Sequence, residues 1–240
     1  MKCALLIGIN YTGLKNELRG CVEDVKHIEK LLIKCGYDKI ILLTDDGVVP
    51  SRDNIMRGFN ELLGYINNGC DEAWIHYSGH GSHVPDYDGD EQDGYDEVLI
   101  PIDMMKNGYI SDDLINKNFI SRITNNDVKL TIFMDCCHSG TVMDLQYHYV
   151  GEWKCVNNKK ALGKIICISG CRDSEESAEY YKDGRWCGAM TTTFLEFVQK
   201  NISLRELLFQ FKHRLQPFGQ VPQLTSNCEL NLDVIRLRLD

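Results

Sequence analysis

The chain has 240 residues, 43% apolar and 25% charged, with a formal net charge of −9, which suits one soluble α/β domain with a large core and leaves little room for disorder. The acidic balance argues against nucleic acid and anionic membrane as partners, since phosphate binding needs clustered Lys and Arg, and it favours a cationic substrate. Eleven cysteines are an odd number, and the apolar run at 3–9 is too short and lacks the cleavage site of a secretory leader, so reduced thiols in the cytoplasm are expected, with Cys3 and Cys167 as small buried hydrophobes.

Strand and helix signals alternate along the chain. Residues 3–9 read as a strand. Val22, Val25, Ile28, Leu31 and Leu32 recur at helical spacing over 21–35, and Gly36 ends that helix. A strand at 40–43 precedes a helix from a Ser51 cap to about Ile66. Residues 72–76 form a third strand, 97–102 a short extended segment, and 111–123 an amphipathic helix. A long strand at 129–134 leads into an irregular stretch at 145–163, a further strand at 164–169, helices near 191–199 and 204–215, and an edge strand at 233–239. This order predicts a single domain over 1–240 with a mainly parallel sheet, helices on both faces, and a site at the carboxyl edge of the strands.

Two segments carry the chemistry. Tyr77-Ser78-Gly79-His80-Gly81 and Asp135-Cys136-Cys137-His138-Ser139-Gly140 each follow an apolar strand, so a histidine and a cysteine meet at the sheet edge as a nucleophilic dyad. Their separation of roughly fifty residues is that of caspase-type cysteine proteases. Either Cys136 or Cys137 can be the nucleophile on this pattern, but alternation along a strand lets only one of the two face His80. His80 would pass a proton to the leaving amine, and the backbone N–H groups of Gly81 and Cys137 could hold the oxyanion.

These motifs resemble the metacaspases, the caspase-like cysteine peptidases. Gly20-Cys21-Val22-Glu23-Asp24-Val25, Tyr95-Asp96-Glu97, Ser111-Asp112-Asp113, Ser169-Gly170-Cys171-Arg172-Asp173, Gly188-Ala189-Met190-Thr191-Thr192 and Pro222-Gln223-Leu224 extend the likeness over nearly the whole chain. The resemblance implies a caspase-like α/β sandwich on a mainly parallel six-stranded sheet. It makes Cys137 the nucleophile and leaves Cys136 to pack inward. It also implies an acidic pocket built from Cys21, Asp24, Ser78 and Asp135 that accepts arginine or lysine before the cut, through charge-assisted hydrogen bonds that would repel aspartate.

Residues 86–97 hold seven carboxylates in twelve positions, a crowding that suits a hard, oxygen-liganded cation. An EF-hand is rejected, because its sixth position is Glu91 rather than glycine. The resemblance implies calcium activation through Asp96, Asp112, Asp113 and Asp144, while Asp112 and Asp113 also suit the first turn of a helix. No organic cofactor is implied. A zinc site from His76, His80, His83 and the paired cysteines lacks the spacing of known motifs, and a serine hydrolase on Ser139 lacks Gly-x-Ser-x-Gly. A catalytically silent scaffold is the remaining alternative.

The chain starts at the first strand, which reads as a catalytic core without a prodomain, and 145–163 is too short for a long linker between subunit regions. Lys154, Lys159 and Lys160 in that stretch offer points for self-cleavage. Protein or peptide substrates are the expected partners. A monomer is expected, with Arg236 and Arg238 on the edge strand discouraging pairing.

Overall fold

Alternation along one strand sorts the core into two layers. In the computed structural model, β1 (Lys2–Gly8) sends Cys3, Leu5 and Ile7 to one face and Ala4 and Leu6 to the other, all fully buried, as a strand covered on both sides requires. The structure describes residues 1–86, 89, 94–136, 143–170, 179–182 and 184–237, without the side chains of 179, 180, 182, 185 and 199.

After β1 come α1 (Cys21–Lys34), β2 (Lys39–Thr44), α2 (Arg52–Asn67) and β3 (Glu72–Ser78). A small three-stranded sheet follows, made of β4 (Gly81–Pro85), β5 (Tyr95–Leu99) and β6 (Ile110–Ser111), with α3 (Met104–Asn107) between the last two. Next are α4 (Asp112–Asn118) and β7 (Lys129–Asp135), then the hairpin of β8 (Tyr147–Tyr149) and β9 (Trp153–Cys155), then β10 (Lys164–Ser169). A second hairpin, β11 (Glu179–Lys182) and β12 (Arg185–Gly188), leads into α5 (Ala189–Phe197), α6 (Leu204–Leu215) and β13 (Gln223–Ser226).

The main sheet has eight strands in the order β2-β1-β3-β7-β10-β13-β8-β9. The first five are parallel and the last three antiparallel. Helix α2 buries Ile55, Phe59, Leu62 and Ile66 against one face, and α1, α5 and α6 cover the other. The expected parallel sheet with helices on both faces is therefore present. Its Ser51 cap is present too, with Ser51 Oγ accepting from Asn54 N at 3.3 Å.

Several expectations are corrected. The sheet has eight strands rather than six, because the stretch at 145–163 contains the hairpin β8–β9 and because Gln223–Ser226 joins β10. Strands of three or four residues are shorter than any window in which a two-residue period is legible. Residues 233–237 form a turn and coil rather than an edge strand, so the argument from Arg236 against pairing is lost, and Arg238 lies outside the described residues. Cys3 is not a lone buried thiol. It is disulfide-bonded to Cys70 across 67 positions, because Cys70 stands just ahead of β3 and the β1–β3 register puts Cys3 opposite Ala73.

Phe133 is the hub of the second layer. Its ring lies 4.9 Å from Phe194, 5.0 Å from His76, 6.0 Å from Phe211 and 6.3 Å from Trp74. Phe133→Ala should lower unfolding free energy by about 3–5 kcal/mol through lost burial and an uncollapsed cavity. Urea denaturation checks this, and a loss under about 1 kcal/mol would contradict the packing described.

Candidate active site

Three parallel strands end side by side. The register sets Gly8 of β1 opposite Ser78 of β3, and Ser78 opposite Asp135 of β7. Helix α1 starts directly above this edge. A Cβ on Gly8 would lie 2.6 Å from the carbonyl oxygen of Cys21, so glycine is what allows the helix to approach. The approach carries Cys21 and Asp24, both buried, onto the strand ends.

Asp24 and Asp135 converge there on one glycine. Asp24 Oδ2 accepts from Gly188 N at 2.9 Å and from Ser78 Oγ at 3.4 Å. Asp135 Oδ2 accepts from Thr191 N at 2.9 Å and Thr191 Oγ1 at 2.7 Å. A Cβ on Gly188 would stand 2.8 Å from Asp24 Oδ2 and closer still to Asp135 Oδ2, so no other residue fits between the two carboxylates. Gly188 is the N-cap of α5 and Thr191 lies in its first turn, so N–H groups left open by the helix face both acids. The four residues expected to line an acidic pocket, Cys21, Asp24, Ser78 and Asp135, are thus brought together.

His80 follows β3 on the same edge. Its backbone is held by two buried phenols: His80 N donates to Tyr11 Oη at 2.9 Å, and Tyr77 Oη donates to His80 O at 2.7 Å. Tyr11 Oη donates in turn to Ile100 O at 2.6 Å. Burial pushes both phenols above the usual tyrosine range, so they stay neutral donors. The imidazole lies 4.6 Å from the Tyr11 ring, and its Nε2 faces Asn16 O at 2.7 Å. A carbonyl only accepts, so Nε2 carries a proton and Nδ1 is left for proton transfer. Gly81 opens β4 directly after it.

Cys136 is fully buried among the apolar side chains of the first layer, so it packs inward. Cys137, together with His138 and Ser139, lies outside the described residues.

The carboxylates expected to bind a cation come from β5, from the start of α4 and from the segment ahead of β8. Asp112 is buried at the start of α4, accepting from Glu97 N at 2.9 Å and Asp113 N at 2.8 Å. Burial first, and then the nearby Asp144 charge, pushes its carboxyl up to about 7. Asp96 is on β5 next to Glu97. Asp144 has a left-handed backbone, with φ of 52°, and its carbonyl takes amide hydrogens from Asn116 and Asn157 at 3.5 and 3.3 Å. Lys159 Nζ bridges Asp144 Oδ2 at 2.5 Å and Asp113 Oδ1 at 3.1 Å. Among the described residues no set of three His, Cys, Asp or Glu side chains is preset to hold a metal.

Sequence reasoning missed Tyr11 and Asn16 altogether and named His76 only in the rejected zinc site. Gly188 and Thr191 carried a motif signal but no role. His76 is fully buried on β3 and stacks on Phe133. Its Nε2 lies 3.2 Å from Thr191 Oγ1. The single hydroxyl proton goes to Asp135, so His76 Nε2 must donate, and the ring is the neutral Nε2–H tautomer.

A family profile described as "Metacaspase, peptidase C14 domain" matches residues 2–146. Metacaspase-1B of Aspergillus terreus is 31% identical, over 97% of this chain and 76% of its own length. Metacaspase-1 of Cryptococcus neoformans var. neoformans serotype D is 32% identical, over 98% and 64%. Among solved structures, a protein from Geobacter sulfurreducens superposes with a TM-score of 0.70 at 23% identity, covering 99% of this chain and 97% of that one. Caspase-1 from Spodoptera frugiperda gives 0.62 at 12%, covering 93% and 85%. The last two speak to fold, and the fold is caspase-like.

Burial lowers the His76 imidazole from 6.5 to about 3. In that window the unfolded chain binds a proton that the folded chain does not, so stability is full above pH 6.5 and falls on acidification. His76→Gln should flatten this slope by up to about 1.4 kcal/mol per pH unit. Denaturant melts of both proteins between pH 7 and 5 check it, and parallel slopes would contradict it.

Proposed function

We propose, since the chain belongs to the metacaspase family of cysteine peptidases, that it is an endopeptidase cutting after arginine or lysine through a Cys137–His80 dyad, with calcium as activator. The observation that carries the specificity is the convergence of Asp24 and Asp135 on Gly188 beside Ser78. Two fixed carboxylates at a strand end suit a guanidinium or ammonium and repel an acidic side chain.

In this reading His80 Nδ1 takes the proton of the Cys137 thiol, and the resulting thiolate attacks the scissile carbonyl carbon. Backbone N–H groups of Gly81 and Cys137 hold the oxyanion. Collapse breaks the C–N bond, and His80 hands its Nδ1 proton to the leaving amine while Nε2–H stays on Asn16 O. Water, deprotonated by the same nitrogen, then hydrolyses the thioester and restores the thiol. Inward packing of Cys136 supports Cys137 as the nucleophile.

Protein and peptide chains are the substrates, and no helix among the described residues is long and apolar enough to cross a membrane. A monomer is the proposed state, with the hairpin β8–β9 occupying the side of β13 away from β10. Lys159 and its neighbours Lys154 and Lys160 are the candidate self-cleavage points.

Fluorogenic peptides ending in Arg, Lys, Gln or Asp test the assignment. Cys137→Ala and His80→Ala should each reduce kcat/KM by about a hundredfold or more, and Asp24→Asn or Asp135→Asn should cut the preference for Arg over Gln by about ten- to a hundredfold. Equal turnover by wild type and both dyad variants would sink the dyad assignment, and no turnover by wild type would leave only a binding scaffold. Preference for Asp would overturn the pocket.

The donor set of Asp96, Asp112, Asp113 and Asp144 is all oxygen and largely withdrawn from water, chemistry that fits a hard cation. Calcium held by these residues would supply countercharge. Lys159 already supplies one such charge to Asp113 and Asp144, so the ion has to displace it. Lys159→Met should therefore lower the calcium concentration that gives half-maximal stimulation by about tenfold, while the Asp112→Asn, Asp113→Asn double variant should lose stimulation. Calcium titration of peptidase rate reads both, and an unchanged midpoint in Lys159→Met would refute the competition.

A further inference from the structure

We propose that Thr191 is a specificity-positioning residue, whose hydroxyl fixes the Asp135 carboxylate for a basic substrate side chain under the direction of the buried His76. This rests on the preference for arginine or lysine proposed above and adds the group that sets it.

Asp135 takes two hydrogen bonds on one oxygen from a single residue, the N–H and the hydroxyl of Thr191. The N–H bond alone fixes where that oxygen lies. The hydroxyl bond, arriving from a second direction, also fixes how the carboxylate plane is turned. A threonine hydroxyl can rotate away from its acceptor unless something occupies its lone-pair side. His76 does this: its Nε2 is 3.2 Å from Oγ1, and the only proton arrangement that satisfies all three groups runs from His76 to Thr191 to Asp135.

The backbone makes the arrangement possible. His76 and Ser78 point to the same face of β3, as Phe133 and Asp135 do on β7, and the register pairs His76 with Phe133 and Ser78 with Asp135. The imidazole therefore stacks on Phe133 one step below the pocket. Thr191 and His76 have no measurable exposure. Neither side chain touches the position of a substrate, so Thr191 acts through Asp135. A buried hydroxyl and a buried imidazole are costly to keep where valine and leucine would pack as well, and their orientation toward a pocket acid gives them a use.

The test compares peptides ending in arginine with the same peptides ending in citrulline, which keeps the shape and drops the charge. In Thr191→Val and Thr191→Ala, KM for the arginine peptide should rise and the arginine-to-citrulline ratio of kcat/KM should fall by about tenfold or more. Turnover of the citrulline peptide should stay near wild type, and Thr191→Ser should restore the ratio to within about threefold, because it keeps the hydroxyl. The smaller alanine variant guards against a valine variant that does not fold. A wild-type ratio in either variant would overturn the inference, as would an equal loss on both peptides, which marks a purely structural role. A wild-type enzyme with no preference for arginine would instead bring down the specificity reading on which the inference stands.

Discussion

The structure depends on keeping two carboxylates side by side out of water. Asp24 comes from α1 and Asp135 from the end of β7, and both are nearly fully buried. Two such charges would repel each other and lose their hydration without compensation. The start of α5 compensates both, with Gly188 N–H on Asp24 and Thr191 N–H on Asp135. Placement of α5 thus ties three elements that are remote in sequence. It also explains why the helix begins on a glycine, where any side chain would strike both acids.

The same edge holds His80 by a separate device. Its ring nitrogen faces a main-chain carbonyl, and its own amide and carbonyl meet two phenols. Positions fixed through backbone groups tolerate little movement, which suits the proton-carrying role proposed for His80. The phenols are anchored at Ile100, just beyond β5, so the small sheet that follows His80 helps hold it. The paired acids and His80 therefore rest on different supports, one on the start of α5 and one on the tyrosine pair.

What could be read in the sequence divides along physical lines. The parallel strands were legible because each is a continuous apolar run, and α1 and α2 because their apolar residues recur at helical spacing. Ser51 announced the start of α2 by its chemistry and accepts the expected backbone N–H, and Ser111 caps α4 in the same way. The hairpin β8–β9 and strand β13 were hidden because they hold together by pairing rather than by a pattern of their own. Within the site, Cys21, Asp24, Ser78 and Asp135 were named from the motifs they belong to. Their supports were not, since Gly188 lies 164 positions from Asp24 and Asn16 lies 64 from His80, and no local spacing encodes such a contact. The pairing of Cys3 with Cys70 was illegible for the same reason.

A second group of acids shows the opposite solution to the same electrostatic problem. At Asp24 and Asp135 the N–H groups of Gly188 and Thr191 and the hydroxyls of Ser78 and Thr191 contribute dipoles. At Asp113 and Asp144 the compensation is the ammonium of Lys159, a full positive charge carried by the chain itself. Asp112, without such a partner, is pushed toward its neutral form by burial and by Asp144. A free cation at Asp113 and Asp144 would have to exchange with a tethered lysine. Segment 157–159 is docked on 144–145 by the Asn157 amide as well as by Lys159, so releasing the lysine loosens a contact that lies just after the nucleophile motif in the chain.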